Sequence, residues 1–406
     1  MGVSRRRLLT LVVLGLVCVL GVIAWVAVSV GMMHSDVAVR EAYRSPRGHM
    51  DWRPDGRCLV RATGEGLDVY AVEGMSLRYE FGFASDLEWG LVRRVAWHPS
   101  GKSLALEIRA RGEEAALQPA SLSERARDRL CIWLIYVVPA PGQPGAAMAV
   151  SGERTLSETS PAWSPDGSLL AFVRARPVRQ RDIPPEPPGS LVLWDRGSGH
   201  LRTVVPGGVV GDVLWSPDGK RLLYGVQGPP DSQTGPLMVA DLASGSSAPV
   251  ARGSLEPLGT DHATWLADGR ILLVARDQNG EGLFVVSLRG EAPKVVRRTP
   301  SNAGLRAPRA HFSAGNRAYY VQASYEPEDQ TITREELRCH DFDHGEDIVV
   351  FAAEYAEGER SFSPCLTDIT PAPLPGLTTL KQRRGYSTAT WAVWTSAFTR
   401  GQIALK

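Results

Sequence analysis

A set of polar residues stands at one recurring position of this sequence, three residues before an aromatic residue. The set offers imidazole, guanidinium, hydroxyl and carboxylate groups, which together could hold a peptide segment, a sugar or a metal ion. Its members are His49, Arg94, Ser160, Asp212, His262 and Arg309. We predict that these six residues form a ligand- or partner-binding site. The plainer alternative is that this position is hydrated and tolerates polar side chains without binding a ligand.

Metal binding is a narrower version of the same idea. His49, His262 and His311, with Asp212 or Asp261, could supply the ligands if the repeats bring them together. Metal sites need defined geometry, and the spacing of these residues along the chain matches no metal motif. We therefore predict no metal and no cofactor.

Hydrolase chemistry would need a G-x-S-x-G nucleophile elbow followed by an acid and then a histidine. The nearest match, Gly385 to Ala389, breaks the motif, and the last histidine is His344. An α/β-hydrolase triad is therefore absent from this sequence. We predict no catalytic residues and favour a protein that is not an enzyme.

The aromatic that follows each polar position is the marker of a sequence repeat. The aromatics are spaced by 45, 66, 52, 50 and 47 residues, and each precedes a turn and an apolar run. They are Trp52, Trp97, Trp163, Trp215, Trp265 and Phe312. Recurrence at about 40–50 residues is typical of a β-propeller, in which each repeat is one four-stranded blade. We predict an all-β propeller over residues 47–406.

The number of blades is the open part of this prediction. Six repeats are clear, and Phe362 lies 50 residues after Phe312, although the Asp-Gly turn is lost there. We favour seven blades, with the last one degenerate, over six.

The best copies of the repeat read AWSPDGSLLAF at Trp163 and LWSPDGKRLLY at Trp215. These motifs resemble the TolB-like branch of propeller repeats, which also occurs in the propeller domains of prolyl-oligopeptidase-like enzymes. The resemblance covers nearly all of the chain after residue 46. It implies the fold and, for TolB-like proteins, partnership with other envelope proteins, whereas propellers as a class host many unrelated functions.

Strand direction assigns the loops of a propeller to two faces. The turn after each aromatic and the third-to-fourth turn share one face, while long and variable loops, such as 111–130 and 176–190, share the other. Variable loops on a rigid scaffold tend to carry function, so we predict that the second face, with the mouth of the central channel, is the binding face. Arg93 and Arg94 could contact an acidic partner there, although a solvated surface is the plainer interpretation.

The N-terminus predicts a membrane anchor. Leu8 to Met33 contains no charged residue and follows Arg5, Arg6 and Arg7, so it is long enough to span a bilayer with the N-terminus inside. Residues 1–33 would be a cytoplasmic stub and signal anchor, and residues 34–46 a tether. The propeller would then lie outside the cytoplasmic membrane. Cleavage near Ala27 and Ser29, and export by a twin-arginine signal, are the alternatives.

The charge balance argues against a nucleic-acid partner. The chain has 45 basic and 44 acidic residues, without the clustered positive excess that a nucleic-acid footprint needs. Four cysteines follow the predicted anchor, and their pairing is left open: Cys58, Cys131, Cys339 and Cys365.

Together these features predict a membrane-anchored, extracytoplasmic propeller that binds an envelope protein or a peptide segment. The alternative function is that of a propeller-type lyase or hydrolase acting on a carbohydrate or small molecule at the channel mouth.

Overall fold

A computed structural model gives the fold of the chain. It describes residues 49–62, 67–73, 76–83, 92–109, 130–141, 143, 145–151, 155–179, 188–228, 235–250, 255–299, 303–306, 317–326, 328, 331–355, 366–371, 377–384 and 387–394. Within these ranges the regular structure is β-sheet, apart from one 3-10 turn at Thr260–His262. The predicted all-β class is confirmed.

The first two sheets are four-stranded antiparallel blades, in the orders β1-β2-β3-β4 and β5-β6-β8-β9. The strands of this part are β1 Met50–Trp52, β2 Cys58–Ala62, β3 Leu67–Glu73, β4 Ser76–Phe83, β5 Val92–Trp97, β6 Ser103–Arg109, β7 Leu130–Cys131, β8 Trp133–Pro139 and β9 Met148–Ala149.

The middle of the chain forms one seven-stranded sheet in the order β10-β11-β13-β14-β15-β16-β17. Its strands are β10 Ser157–Trp163, β11 Leu169–Ala175, β13 Gly189–Asp195, β14 Leu201–Trp215, β15 Arg221–Val226, β16 Leu237–Asp241 and β17 Ser247–Pro249. The short strand β12, Val178–Arg179, pairs instead with β7. This pair, the β7–β12 ribbon, joins the second blade to the seven-stranded sheet.

Two further blades and a three-stranded sheet follow. The strands are β18 Glu256–Pro257, β19 Ala263–Trp265, β20 Ile271–Asp277, β21 Gly280–Val286 and β22 Lys294–Arg298, then β23 Ala303–Arg306, β24 Arg317–Tyr325, β25 Ile332–Asp341 and β26 Glu346–Glu354, and last β27 Leu366–Pro371, β28 Leu377–Arg384 and β29 Ser387–Trp394. Both β18 and β19 pair with β20, so the innermost strand of that blade is interrupted by the 3-10 turn. The propeller arrangement is thus present in four separate blades.

The turn after four of the aromatics is built by an aspartate. Asp55, Asp166, Asp218 and Asp268 each accept a hydrogen bond from the backbone N–H two residues further on, at 3.0–3.1 Å. Such Asx turns are the ordinary use of aspartate in a tight turn. The glycine that follows has positive φ, for example 74° at Gly167, which explains why the motif ends in Asp-Gly.

The hydrophobic core lies between neighbouring sheets and is divided into several clusters. Trp97 packs with Cys58 and Val60 of the first blade, and Trp163 packs with Ala105 and Ile135 of the second blade. Trp97 and Trp163 therefore each fill the space between their own sheet and the preceding one. Burial of these large side chains is a main source of stability for the ring.

Two features of the architecture differ from the expectation. Four-stranded repeats imply that the last strand of one blade and the first strand of the next are separate, whereas β14 runs without a break through 15 residues and belongs to both halves of the seven-stranded sheet. The β7–β12 ribbon also adds a contact between blades that the repeat pattern does not contain.

The predicted membrane anchor and the tether, residues 1–46, lie outside the described residues. Across the part of the chain that the structure covers, there is no helix with the length and apolar character needed to cross a bilayer. Cys58 and Cys339 are buried within apolar clusters.

Candidate functional site

Three of the predicted site residues meet at one end of the innermost strands. Arg94 of β5 donates from Nη1 to the hydroxyl oxygen of Ser160 at 2.9 Å and forms an ion pair with Asp212 of β14 through the same nitrogen. The Ser160 hydroxyl donates to Asp212 Oδ1 at 3.2 Å. Side chains separated by 66 and 118 residues in sequence thus form one cluster, which we call the mouth cluster: Arg94, Ser160 and Asp212.

Irregular strand pairing directs these side chains toward one another. The pairing shifts register between Val92 and Arg94 and between Thr159 and Ala162, and it does so again between Val210 and Val213. A β-bulge bends its strand and re-aims the side chains beside it. Ser160 has a φ of 59°, which is rare for a residue other than glycine. The backbone at the mouth cluster is therefore held in an unusual conformation.

The buried carboxylate of Glu107 contacts two members of the mouth cluster, Ser160 and Arg94. Glu107 of β6 has no solvent exposure and accepts the backbone N–H of Ser160 at 2.9 Å. Its two oxygens lie 3.1 Å from Arg93 Nη1 and 3.7 Å from Arg94 Nε. The two positive and two negative charges of this group balance, which is the condition under which buried ions are tolerated. The group consists of Arg93, Arg94, Glu107 and Asp212.

Further hydrogen bonds tie the innermost strands together. Asp51 accepts the backbone N–H of Trp97 at 2.7 Å, and Thr260 Oγ1 accepts the backbone N–H of Asp212 at 3.2 Å. These bonds use the inner edge of each strand, which has no neighbouring strand to pair with. The mouth cluster is therefore part of a cross-linked inner ring.

The inner ring surrounds a channel of about 590 Å³. One end is lined by the mouth cluster together with His49 and Asp51. The walls are aromatic and apolar, and prolines of the turns line the other end: Trp52, Trp97, Trp163, Trp215, Trp265, Pro54, Pro99, Pro165 and Pro217. An apolar cavity with a few convergent polar groups is the usual form of a ligand site.

The other predicted site residues have different outcomes. His49 is half-buried and lines the channel. His262 lies in the 3-10 turn, and from that blade Thr264 and Trp265 line the channel instead. Arg309 and His311 lie outside the described residues. Among the residues that are described, no group of three or more histidine, cysteine or acidic side chains is placed to hold a metal ion.

The chemistry that the mouth cluster can perform follows from its partners. The Ser160 hydroxyl donates to the Asp212 carboxylate, which also forms an ion pair with Arg94. The arrangement fixes charge and shape at the channel entrance, which suits recognition.

A second group of charges lies between the second blade and the seven-stranded sheet. Glu158 is almost fully buried, with Arg174 Nη2 2.8 Å from its Oε1. Burial raises the pKa of the Glu158 carboxyl, although the hydrogen bond from Arg174 opposes this effect. The Arg93 guanidinium lies 5.2 Å from the centre of the Trp133 ring.

Sequence reasoning missed Glu107, Asp51 and Glu158. A single signal could have found the first one: Glu107 stands alone in the otherwise apolar run LALEI of β6. A carboxylate in such a strand is expected to have a buried cationic partner.

Comparison with known proteins gives the fold and little more. No protein-family model matches the chain, and no curated protein matches it in sequence.

Solved structures do match. TolB from Acinetobacter baumannii is 14% identical, with a TM-score of 0.41 over 76% of this chain and 63% of its own. Oligogalacturonate lyase from Vibrio parahaemolyticus is 10% identical, with a TM-score of 0.56 over 86% of this chain and 90% of its own. A puromycin-hydrolyzing peptidase from Mycobacterium tuberculosis is 13% identical, with a TM-score of 0.54 over 88% of this chain and 53% of its own.

The chain thus spans less than two thirds of the TolB and about half of the peptidase. Its class is nevertheless defined by its own sheets: it is an all-β protein with a propeller arrangement. At these low identities the likeness concerns the fold alone.

Proposed function

We propose that the protein is a binding module that recognises an envelope protein, or a peptide segment of one, at the channel mouth. The observation that carries the proposal is the mouth cluster, in which Arg94, Ser160 and Asp212 are locked together at the entrance of an apolar channel. A rigid, charged entrance above an aromatic channel gives shape and charge specificity without reactive groups.

The proposal includes the membrane anchor. The uncharged stretch from Leu8 to Met33 would hold the propeller at the outer surface of the cytoplasmic membrane. In that position the module meets envelope components directly, as the resemblance to TolB-like repeats implies.

We also propose a closed ring of seven blades. Dividing the seven-stranded sheet within β14 gives two blades, and β27–β29 would belong to the last one. Contact between β1 and β27 supports closure, because β2 and β5, which belong to consecutive blades, make the same kind of contact.

An enzymatic alternative acts on a carbohydrate or small molecule in the same channel. It rests on His49 and Asp51, which line the channel beside the mouth cluster. Replacing His49 with Ala would remove activity toward such a substrate under this alternative, whereas the main proposal expects no turnover by either the unchanged protein or the variant.

Capture of envelope proteins by the detergent-solubilised full-length chain tests the proposal. Asp212→Asn keeps the side-chain shape and removes the charge that Arg94 requires, so we expect capture of the specific partner to be lost. Glu291→Gln, an equal charge change in an exposed turn at the opposite face, is the control and should capture normally. Normal capture by a folded Asp212→Asn variant would overturn the proposal.

A further inference from the structure

A second cavity, of about 510 Å³, opens on the face opposite the channel mouth. It lies between two neighbouring hairpin turns, the one that joins β16 to β17 and the one that joins β21 to β22. Its two walls belong to the described stretches 235–250 and 255–299. The cavity shares no residue with the channel, so it is a separate site.

The floor of this cavity is apolar. Val239, Val250 and Val286 line it, and they are only 5%, 4% and 3% exposed because they also belong to the core cluster between the two blades. The space above these valines stays open because the residues around it are small. These small residues are Ala248, Gly290 and Ala292. An apolar group that enters from solvent would therefore be covered on one side by the core of the two blades.

Arg221, the first residue of β15, lines the cavity from the wall of the seven-stranded sheet. Its Nε lies 3.5 Å from Asp241 Oδ2, and the two side chains are 38% and 34% exposed. Asp241 Oδ1 accepts the backbone N–H groups of Ala243 and Ser244, so this carboxylate is tied to its own turn. Within the described residues Arg221 makes no side-chain hydrogen bond and no other ion pair, so its Nη groups are available to a ligand.

Glu291 lines the cavity from the other wall, in the exposed turn between β21 and β22. Among the described residues its carboxylate has no ion pair. The cations close by in sequence, Lys220, Arg289 and Lys294, are exposed and do not line the cavity. The cavity thus presents a guanidinium on one wall and a carboxylate on the other, with the paired Asp241 beside the guanidinium.

We propose that this cavity, which we call the rim cavity, binds a short apolar peptide by both of its ends. The carboxylate of the peptide would pair with Arg221, its ammonium group would pair with Glu291, and its apolar side chains would cover the valine floor. Guanidinium N–H groups match a carboxylate in geometry, and hydrogen bonds between charged groups are stronger than neutral ones.

The charges and the volume together define the ligand class. Unlike charges on two walls favour a ligand that carries both charges over one that is purely anionic or purely cationic. The volume falls within the range of roughly 300–1,000 Å³ that is usual for ligand pockets, and a dipeptide or tripeptide suits that range. The inference goes beyond the proposed function, because the rim cavity is a second site on the other face of the protein.

Isothermal titration calorimetry of the full-length chain in detergent, with the tripeptide Leu-Ala-Leu, tests the inference. We expect saturable binding that weakens about fivefold or more when the peptide is N-acetylated or C-amidated, because each change removes a charge-assisted hydrogen bond. Equal affinity for the free and the doubly capped peptide would overturn the proposal, and so would the absence of saturable binding.

Three variants locate the site. Arg221→Gln should weaken binding of the free peptide by about fivefold or more and leave the C-amidated peptide unaffected. Lys220→Gln is the matched control, because it removes the same charge from a neighbouring exposed residue that does not line the cavity. Ala248→Trp adds bulk at an exposed lining position, so it should abolish binding even if Arg221→Gln fails to fold. Equal binding by Arg221→Gln and Lys220→Gln, or normal binding by Ala248→Trp, would overturn the proposal.

The rim cavity and the mouth cluster can be tested independently. Asp212→Asn should bind the tripeptide normally although it loses the envelope partner, and Glu291→Gln should lose the preference for a free ammonium group although it captures that partner normally. Loss of tripeptide binding in Asp212→Asn but not in Arg221→Gln would place the peptide in the channel and refute the rim cavity. If capture is independent of Asp212 while tripeptide binding depends on Arg221, the proposed function fails and the rim cavity stands.

Discussion

The indole nitrogen of Trp215 donates a hydrogen bond to the carbonyl oxygen of Ala162 at 2.9 Å. Trp265, the aromatic of the next repeat, makes the equivalent contact, with its indole nitrogen 3.1 Å from the carbonyl oxygen of Leu214. In both cases the acceptor is the residue just before the aromatic of the preceding repeat. The repeated tryptophan therefore both fills the space between sheets and satisfies the open edge of the adjacent innermost strand.

Trp97 and Trp163, the aromatics of two earlier repeats, do not make this contact within the described part of the chain. The indole nitrogens of Trp97 and Trp163 are buried and make no hydrogen bond within the described part of the chain. The ring of Trp163 instead packs edge-on against His98, with the ring centres 4.7 Å apart. One sequence motif thus gives two kinds of contact.

Replacing Trp215 with Phe should separate these two kinds of contact. The change removes the hydrogen bond to Ala162, which contributes about 1 kcal/mol, in addition to the loss of ring area. Trp163→Phe loses ring area but no hydrogen bond within the described residues. We expect the Trp215→Phe variant to lose about 1 kcal/mol more free energy of unfolding than Trp163→Phe, measured by urea denaturation. Equal losses would show that the indole bond adds nothing to stability.

Replacing Trp163 with Ala tests the role of the aromatic as core between sheets. Trp163 is 8% exposed and packs with side chains from two sheets, so its truncation leaves a large cavity. We expect a loss of ~3–5 kcal/mol in the free energy of unfolding. Met148→Ala is the control, because Met148 is 46% exposed and its loss should change stability little. A loss below about 1 kcal/mol at Trp163 would contradict the assignment.

The repeat predicted the fold because its signals are local. An apolar run, an Asp-Gly turn and a buried aromatic depend on a few neighbouring residues, and the structure places Trp163 and Asp166 in the expected roles. The continuous strand β14 was not predicted, because a repeat of four-stranded blades implies separate strands on either side of each blade boundary. Pairing with both β13 and β15 overrides that local signal.

The candidate site was predictable only in part. The sequence placed Arg94, Ser160 and Asp212 at equivalent positions, but their meeting depends on bulges whose positions the repeat does not encode. Glu107 and the β7–β12 ribbon come from non-local pairing. The sequence therefore indicated a position on the channel, and the three-dimensional arrangement determined which side chains share it.

Ser160 offers a test of the backbone at the mouth cluster. Its φ of 59° is unfavourable for any residue with a Cβ, and glycine would remove that penalty. Ser160→Gly and Ser160→Ala both lose the hydroxyl bonds to Arg94 and Asp212. We expect the Gly variant to be more stable than the Ala variant by about 1 kcal/mol in thermal unfolding.

Ser190 provides the matched comparison, because it lies in β13 and its hydroxyl donates a hydrogen bond, to the Pro206 carbonyl at 2.8 Å. In an ordinary strand the order should reverse, with Ser190→Ala more stable than Ser190→Gly. The same order at both positions would show that Ser160 is not strained.

His98 should make stability depend on pH. It is buried, with Nε2 3.0 Å from the carbonyl oxygen of Gly167, and its Nδ1 accepts the backbone N–H of Ser100 at 3.1 Å. The carbonyl contact requires a proton on Nε2, and the Ser100 N–H requires a lone pair on Nδ1, so the ring is neutral. A second proton, on Nδ1, would break the bond from the Ser100 N–H.

Burial lowers the pKa of His98 below its usual value of 6.5, and the charge of Arg196 acts in the same direction. The unfolded chain therefore binds a proton more readily than the folded one, and stability falls as pH decreases through 6.5. We expect the free energy of unfolding to decline from neutral pH toward pH values below the folded pKa, and His98→Gln, which cannot titrate, to flatten this decline. Urea denaturation of both proteins across that range measures the difference, and identical pH profiles would rule out His98 as a source of the pH dependence.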